Sequence, residues 1–220
     1  MSFAKSLISH YCIGSGLEVG PGKNPYCNPA TTLFLDKFTD NSDATINPDI
    51  VSDASIVPKP DETFDYVLSS HVLEHMQDTI GTLKEWIRVL KKDGILFLLL
   101  PHADRIFDKH RSKTTLEHHI LDHQNLTTEP DHSHDEEIKE GWSKLWLTEE
   151  EKQKAFAEYK AQWGADVWDF DFRLKNGVIH FHVWTQNEIV KLLQFLELNI
   201  LWVSEFVPER DDTFIVIAKK

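Results

Sequence analysis

The most constraining feature of this chain is a series of short apolar runs, each followed by glycine or a polar residue. Five such runs occur in the first hundred residues, at positions 17–19, 32–35, 50–51, 66–68 and 95–100. Near-continuous apolar strands are typical of a parallel sheet that is covered on both faces. Apolar residues at helical spacing between Ile80 and Leu90 predict a helix before the fifth run, and we expect residues 91–94 to end it. This alternation predicts an open α/β sheet.

The C-terminal part first continues the pattern and then departs from it. Residues 185–188 have a capping-box sequence, Thr-Gln-Asn-Glu, which predicts a helix to about residue 196. Two β-rich runs follow at positions 200–207 and 213–218, joined by a short polar turn. So short a connection predicts an antiparallel hairpin.

Residues 103–180 interrupt the alternation, and we interpret them as a mostly helical cap embedded in a single domain of residues 1–220. The segment carries four of the seven tryptophans, so we expect it to pack on itself, on the sheet or on another subunit. A second capping box, at positions 148–151, predicts a helix toward Trp163. Positions 131–151 hold eight acidic and two basic residues, so nearly half of the net charge lies in this insertion.

The composition lowers the expectation for several classes of partner. With 36 acidic and 23 basic residues the net charge is −13, which repels a nucleic-acid backbone or an anionic membrane surface. No run approaches the ~20 apolar residues of a membrane span, and residues 1–5 do not begin a signal peptide. Cys12 and Cys27 are too few for a disulfide scaffold. We therefore expect a cytoplasmic protein with no membrane insertion and leave its oligomeric state open.

The predicted strand ends nominate a binding site, because ligands of open α/β sheets lie beyond the carboxyl ends of the strands. The candidates at these ends are Gly20, Gly22, Asp36, Asp53, His71 and His102. A Gly-x-Gly turn allows close approach of the backbone to a ligand, and Asp36, 18 positions after Glu18, can accept both hydroxyls of a ribose. The dinucleotide fingerprint is not met, because Pro25 replaces its third glycine and, with Pro29, opposes the following helix.

These segments together resemble class I S-adenosylmethionine-dependent methyltransferases. The resemblance is carried by residues 17–22 (Leu-Glu-Val-Gly-Pro-Gly), by Asp36 and Asp53, and by residues 64–75. Residues 88–94 resemble the Arg-Leu-Lys-Pro-Gly-Gly stretch of the type 11 group. The runs 22–25, 107–111, 115–118 and 180–185 resemble a bacterial subfamily often associated with surface-polysaccharide genes.

The resemblance implies a Rossmann-like class I methyltransferase sheet, mostly parallel with a C-terminal antiparallel hairpin, and a helical insertion after the fifth strand. It also implies S-adenosylmethionine as the cofactor. The implied contacts are Glu18, Gly20 and Gly22 at the methionine end, Asp36 at the ribose, Asp53 with Ala54 at the adenine, and Ser70 with His71 at the methyl sulfonium. Asn24 and Pro25 depart from the family pattern, since they replace the usual third glycine and shorten the first helix.

Two histidines are candidate catalytic bases, because a neutral imidazole accepts a proton near pH 7. His71 follows the fourth strand, and a packed pocket residue is its alternative role. His102 follows the fifth strand, and a structural hydrogen bond is its alternative role.

Three basic residues of the insertion are candidates for binding an anionic acceptor such as a sugar phosphate. They are Arg105, His110 and Arg111. A guanidinium group matches phosphate oxygens, but either arginine can instead pair with Asp104 or Asp108 inside the cap.

The insertion is also rich in histidine. His118, His119 and His123 lie at helical spacing near Asp122 and residues 132–134, so a divalent metal is conceivable. No cysteine accompanies them and the ligand geometry cannot be read from the sequence. We therefore predict no metal.

The resulting hypothesis is an enzyme that transfers the methyl group of S-adenosylmethionine to a small-molecule or glycan acceptor. On the family resemblance alone, the expected acceptor group is a hydroxyl of a sugar or glycan intermediate in polysaccharide biosynthesis. The alternative is a non-catalytic cofactor-binding or partner protein with the same fold, which Asn24 and Pro25 motivate. A metal-dependent hydrolase built on the histidines is a more distant alternative.

Overall fold

The computed structural model describes residues 2–39, 47–125 and 132–220, and their strands form one seven-stranded sheet. The strands are β1 (Gly16–Val19), β2 (Thr32–Asp36), β3 (Ile50–Val51), β4 (Phe64–Ser70), β5 (Leu90–Pro101), β6 (Asn199–Ser204) and β7 (Thr213–Lys219). Their order is β3-β2-β1-β4-β5-β7-β6. Strands β1 to β5 are parallel, and β7 is antiparallel to both β5 and β6. The predicted α/β sheet with a C-terminal antiparallel hairpin is confirmed.

Seven α-helices occur among the described residues. They are α1 (Phe3–Tyr11), α2 (Thr79–Val89), α3 (Leu116–Gln124), α4 (Asp135–Ser143), α5 (Glu149–Trp163), α6 (Phe170–Asn176) and α7 (Gln186–Phe195). Both predicted capping boxes form, at the starts of α5 and α7. The sequence patterns did not predict α1. No helix in the described ranges has the length and hydropathy to cross a lipid bilayer.

One predicted helix end is wrong. Helix α2 ends at Val89, and residues 91–94 belong to β5 instead of capping the helix. The residue with a left-handed backbone is Asp93, at φ +64°, and not Gly94. The chain is extended here because it pairs with β4, with Leu90 opposite Phe64 and Ile95 opposite Tyr66.

Each face of the sheet has its own core, because side chains of a strand point alternately to opposite faces. In β5, Leu96 and Leu98 pack with α2 and α7 on one face, whereas Phe97 and Leu99 pack with α1 on the other. All four of these side chains are fully buried. The apolar run at positions 95–100 therefore has the period-2 burial of a central strand, covered on both sides.

Helices α3 to α6 lie between β5 and α7, within residues 103–180, although residues 126–131 lie outside the described part of the chain. They have a separate apolar cluster that includes Trp142, and the Arg173 guanidinium lies over the Trp142 and Tyr159 rings at 4.4 and 4.5 Å. Three of the four tryptophans pack against one another or against Phe156, and the fourth packs against Tyr159. The fourth, Trp163, is 39% exposed at the end of α5.

Candidate functional site

A cleft opens at the carboxyl ends of strands β1 to β4, where the parallel register brings their last residues together. Val19 is paired with Leu35, and Asp36 with Val51, so the loops that follow these strands share one edge. The cleft wall includes most of the residues for which a cofactor contact was predicted: Gly20, Gly22, Asp36, Asp53, Ala54 and His71. Apolar side chains, among them Val72 and Met76, complete it.

The glycine turn after β1 leaves room for a ligand. Gly20 and Gly22 have φ values of +66° and +55°, in the left-handed region that favours glycine. A Cβ atom on Gly20 would lie 2.3 Å from Cγ2 of Val72, so this position admits no side chain. A Cβ on Gly22 would meet no atom within 4 Å, because the space beside it is open. Residues 20–31 form no helix, consistent with Pro25 and Pro29.

Two carboxylates line the other side of the cleft. Oδ1 of Asp36 accepts the Phe38 N–H at 3.0 Å, and the carboxylate keeps lone pairs for further donors such as ribose hydroxyls. Burial raises the pKa of Asp53, but hydrogen bonds from Ser55 and the charge of Lys37 outweigh it and hold this pKa below its usual range. The Asp53 carboxylate is therefore an anionic acceptor at neutral pH. These residues fit the ribose and adenine ends of S-adenosylmethionine.

Glu18 has a different place from the one predicted. Its side chain is 1% exposed, lies outside the cleft wall, and accepts the backbone N–H groups of Tyr26 and Cys27, each at 2.9 Å. Burial raises the pKa of Glu18, although these hydrogen bonds oppose the shift. Glu18 therefore holds the loop after the glycine turn, and its contact with the methionine end stays a prediction. Ser70 ends β4 next to His71 and is likewise outside the wall.

His71 connects the cleft to a group of titratable side chains. It follows β4 with φ +54°, a strained conformation for a residue other than glycine, and its Nε2 lies 2.9 Å from Oγ1 of Thr213. Burial, followed by the nearby Arg210 guanidinium, lowers the pKa of His71 to about 3. The imidazole is therefore neutral at pH 7 and its Nδ1 lies 3.5 Å from Oε1 of Glu74.

We call His71, Glu74, His75 and His180 the acceptor-side cluster. Burial raises the pKa of Glu74 to about 7, and neither of its oxygens receives a hydrogen bond within the described residues. His75 lines the cleft, and its Nδ1 lies 2.7 Å from the Ile179 carbonyl oxygen, so this nitrogen carries the proton. One ligand atom each of Glu74, His75 and His180 lies within 4.8 Å of the others. This cluster could accept a proton or hold a cation.

His180 is oriented by a buried carboxylate. Its Nδ1 donates to Oδ2 of Asp108 at 2.7 Å, while Oδ1 of Asp108 accepts from Arg111 and from the Trp142 indole at 3.1 and 3.0 Å. Burial raises the pKa of Asp108, but the His180 and Arg111 contacts outweigh it and keep this pKa low. The ring centroids of His180 and His75 are 4.9 Å apart. A carboxylate that fixes the tautomer of a histidine is the arrangement of a general base.

The sequence patterns marked residues 107–111 and 180–185 only as family features and did not identify Asp108, His180 or Glu74 as site residues. The signal that could have found them is the combination of the histidines in residues 180–185 with the Asp108 carboxylate in residues 107–111. Because Asp108 and His180 are 72 positions apart, only the folded chain shows that they meet.

The predicted base His102 has a structural role. It is 5% exposed, its Nδ1 accepts the Asp104 N–H at 3.3 Å, and its ring packs edge-on against Phe214. Burial lowers the pKa of His102, and the residue lies outside the cleft wall. The structure thus supports the alternative stated above for His102, a hydrogen bond that begins a short 3₁₀ turn.

The predicted anion-binding residues are also placed elsewhere. Arg111 is 4% exposed, and its guanidinium donates hydrogen bonds to Asp108, to Glu137 and to the carbonyl oxygens of residues 180 and 181. Arg105 pairs with the Glu205 carboxylate at 3.0 Å. Neither guanidinium faces the cleft, because each has nearer acceptors in its own surroundings. His110 lies on the exposed surface, and its contact with an acceptor stays a prediction.

Comparison with known proteins supports the class that this site indicates. Residues 17–98 match the profile of the family described as "Methyltransferase domain", a region that contains the glycine turn, both cleft carboxylates and His71. A segment of 55 residues is 42% identical to ajmaline N-methyltransferase of Rauvolfia serpentina. That segment is 25% of this chain and 19% of the plant protein, so the chain matches only about a fifth of this curated relative.

Similar solved structures extend over the whole fold. An S-adenosylmethionine-dependent methyltransferase from Mesorhizobium loti has a TM-score of 0.56 at 16% identity, covering 99% of this chain and 96% of that one. A Thermotoga maritima protein described as a possible histamine N-methyltransferase has a TM-score of 0.51 at 14% identity, covering 98% and 86%. At such identities the likeness shows the fold alone. The fold is that of S-adenosylmethionine-dependent methyltransferases, and with the family match it supports a methyltransferase that uses this cofactor.

Proposed function

We propose that this protein transfers the methyl group of S-adenosylmethionine to a hydroxyl of a polar small molecule bound at the acceptor-side cluster. The observation that carries the proposal is the Asp108–His180 pair, which lies outside the cleft wall but next to His75 of that wall, at 4.9 Å between the ring centroids. The same wall carries the glycine turn and two carboxylates. A sugar or glycan intermediate as acceptor, its place in polysaccharide biosynthesis and a cytoplasmic location are parts of the proposal that rest on the sequence alone.

The residues of the cleft bind and orient the two reactants. S-Adenosylmethionine supplies an electrophilic methyl group on a positively charged sulfur. Asp36 would accept hydrogen bonds from the ribose. The turn at Gly20 and Gly22 would allow the ligand to approach the backbone closely. Holding the acceptor oxygen in line with that methyl group accounts for most of the expected rate enhancement, because positioning alone can lower a barrier by several kcal/mol.

The acceptor-side cluster removes the proton of the attacking hydroxyl. A hydroxyl is a weak nucleophile, so its proton must leave as the new C–O bond forms and the bond between the methyl carbon and sulfur breaks, with S-adenosylhomocysteine as the second product. Since Nδ1–H of His180 is held by Asp108, Nε2 presents its lone pair to the acceptor and takes up the proton. Asp108 and the neighbouring Glu74 then stabilise the imidazolium ion. The His180 side chain is 12% exposed, so the proton can pass on to solvent.

The proposal is tested with methyl-labelled S-adenosylmethionine and polar metabolite fractions, including sugar nucleotides, followed by identification of the labelled product. We expect His180→Ala to lower the transfer rate by about 10²–10⁴, the usual contribution of a general base, without weakening cofactor binding. His10→Ala is the control, because His10 is an exposed histidine of α1 that belongs neither to the cleft wall nor to the acceptor-side cluster.

Two outcomes would count against the proposal in different ways. Cofactor binding without label transfer to any fraction would favour the non-catalytic alternative. Transfer with equal rates in the wild type and in His180→Ala would keep the methyltransferase but remove His180 as its base.

A further inference from the structure

A second group of histidines lies in the insertion, away from the cleft. We call His118, Asp122, His134 and His182 the insertion cluster. One ligand atom from each of the four lies within 4.8 Å of the others. Asp122, His134 and His182 have side chains that are 12%, 6% and 0% exposed. The members come from α3, from the residue before α4, and from the segment before α7.

The three imidazole rings form a nearly equilateral triangle. Their centroids are 5.1 Å apart for His118 and His134, 5.3 Å for His134 and His182, and 5.5 Å for His118 and His182. Three rings bound through nitrogen to a tetrahedral Zn²⁺, at Zn–N distances of about 2.0–2.1 Å, have centroids roughly 5 Å apart. Simple packing of three rings does not require equal distances.

The carboxylate occupies the fourth corner. Oδ2 of Asp122 lies 3.1 Å from Nε2 of His118 and 3.1 Å from Nε2 of His182. Two ligand atoms of one tetrahedral Zn²⁺ are separated by about 3.3 Å, given Zn–N and Zn–O distances near 2.0–2.2 Å. One oxygen thus faces two ring nitrogens at the spacing that a shared cation produces.

Contacts on the outer side orient two of the rings. Nδ1 of His182 lies 3.1 Å from the Met76 carbonyl oxygen and 3.0 Å from Oγ1 of Thr79. Nδ1 of His134 lies 3.5 Å from Oε2 of Glu137. Both contacts use Nδ1 and leave Nε2 for the cluster. Such outer partners of ligating histidines are typical of metal sites.

From this geometry we infer that His118, Asp122, His134 and His182 form a structural Zn²⁺ site. Three imidazoles and one carboxylate complete a tetrahedral set without cysteine, and four protein ligands leave no open position for a substrate. The metal joins two segments of the insertion to the segment that directly follows it. Through His182 and the Met76 carbonyl it also fixes the insertion to a residue of the cleft wall.

The test is the zinc content of untagged protein that has been equilibrated with Zn²⁺, freed of unbound metal by gel filtration and analysed by mass spectrometry. We expect about one zinc per chain in the wild type, and below about 0.2 in Asp122→Asn and in His118→Gln. His123→Asn is the control, because His123 is the next residue on α3 and contacts Asp78 instead of the cluster. His118 is 39% exposed, so His118→Gln should fold even where a buried variant does not.

Addition of Zn²⁺ should also raise the melting temperature of the wild type and of His123→Asn, but not of the two ligand variants. Zinc below about 0.2 per chain in the wild type would overturn the inference. So would retention of zinc by both ligand variants, or an equal loss in the control. None of these measurements uses methyl transfer, so the zinc site and the proposed function can fail separately.

Discussion

Asp36→Ala should weaken the binding of S-adenosylmethionine while leaving the sheet folded. Asp36 ends β2 in the cleft wall, with one hydrogen bond to the Phe38 N–H and lone pairs left for two ribose hydroxyls. A hydrogen bond to a charged group contributes about 1.5–3 kcal/mol, so two such bonds set an upper limit of about 3–6 kcal/mol. Water that enters the variant's cleft recovers part of this energy. We expect a net loss of about 2–4 kcal/mol, which corresponds to roughly a 30- to 1,000-fold higher Kd.

The same substitution should cost little stability. Among the described residues the variant loses the bond to Phe38, about 1 kcal/mol, which lowers the melting temperature of a domain of this size by about 2–4 °C. Asp49→Ala is the matched control. Oδ2 of Asp49 accepts the Phe34 N–H on the same strand at 2.9 Å, and Asp49 is not part of the cleft wall.

Isothermal titration calorimetry with S-adenosylmethionine and with S-adenosylhomocysteine measures the Kd of each ligand. The control should bind each ligand with a Kd within about twofold of the wild-type value. A Kd for Asp36→Ala within about threefold of wild type would refute the ribose contact. Equal weakening of ligand binding in Asp36→Ala and Asp49→Ala would refute it too. The shared loss would then arise from a change in strand β2 and not from a lost contact with the ligand.

Three further predictions concern the surroundings of the site. Burial raises the pKa of Glu74 to about 7, above its unfolded value, so ionisation of Glu74 destabilises the fold progressively from pH 4.5 to 7. Glu74→Gln should therefore be more stable than the wild type at pH 8, by about 2–3 kcal/mol in urea unfolding. Equal stability of the two proteins at that pH would contradict this. Arg111→Ala leaves buried Asp108 without its guanidinium partner and should lower the free energy of unfolding by about 3–5 kcal/mol. Arg105→Ala, which removes the exposed pair with Glu205, should lower it by less than about 1 kcal/mol. Similar losses in the two variants would argue against the buried network. His102→Asn keeps a good N-cap, so the methyl-transfer rate should stay within about threefold of wild type, whereas a hundredfold loss would restore His102 as a base.

The cleft could be located from the sequence because its residues follow from local rules. Apolar runs become strands, and parallel strands bring their carboxyl ends to one edge, so Gly20, Asp36, Asp53 and His71 had to lie near one another. Pro25 and Pro29 also act locally, and the connection between β1 and β2 contains no helix. No contact between distant segments had to be known for these predictions.

The structure departs from the sequence-based expectations where a side chain has several partners within reach. Arg111 was a candidate for an anionic acceptor, but its neighbour Asp108 and two distant carbonyl oxygens take its donors. Glu18 follows the family pattern in sequence, yet the N–H groups of a loop eight and nine residues later occupy its carboxylate. Type and spacing show what a group can bind, and only the surrounding atoms decide what it does bind.

By itself, then, the sequence predicted the sheet and most of the strand-end residues that line the cleft, because strand patterning and turn chemistry are properties of short segments. Tertiary structure alone decided the rest. It brought Asp108 to His180, and it placed His182 beside His118, Asp122 and His134, residues for which the sequence made a metal conceivable but predicted none. Chemical groups that act together across 60 or more positions leave no periodic trace in the chain, since their meeting depends on how the insertion packs against the sheet.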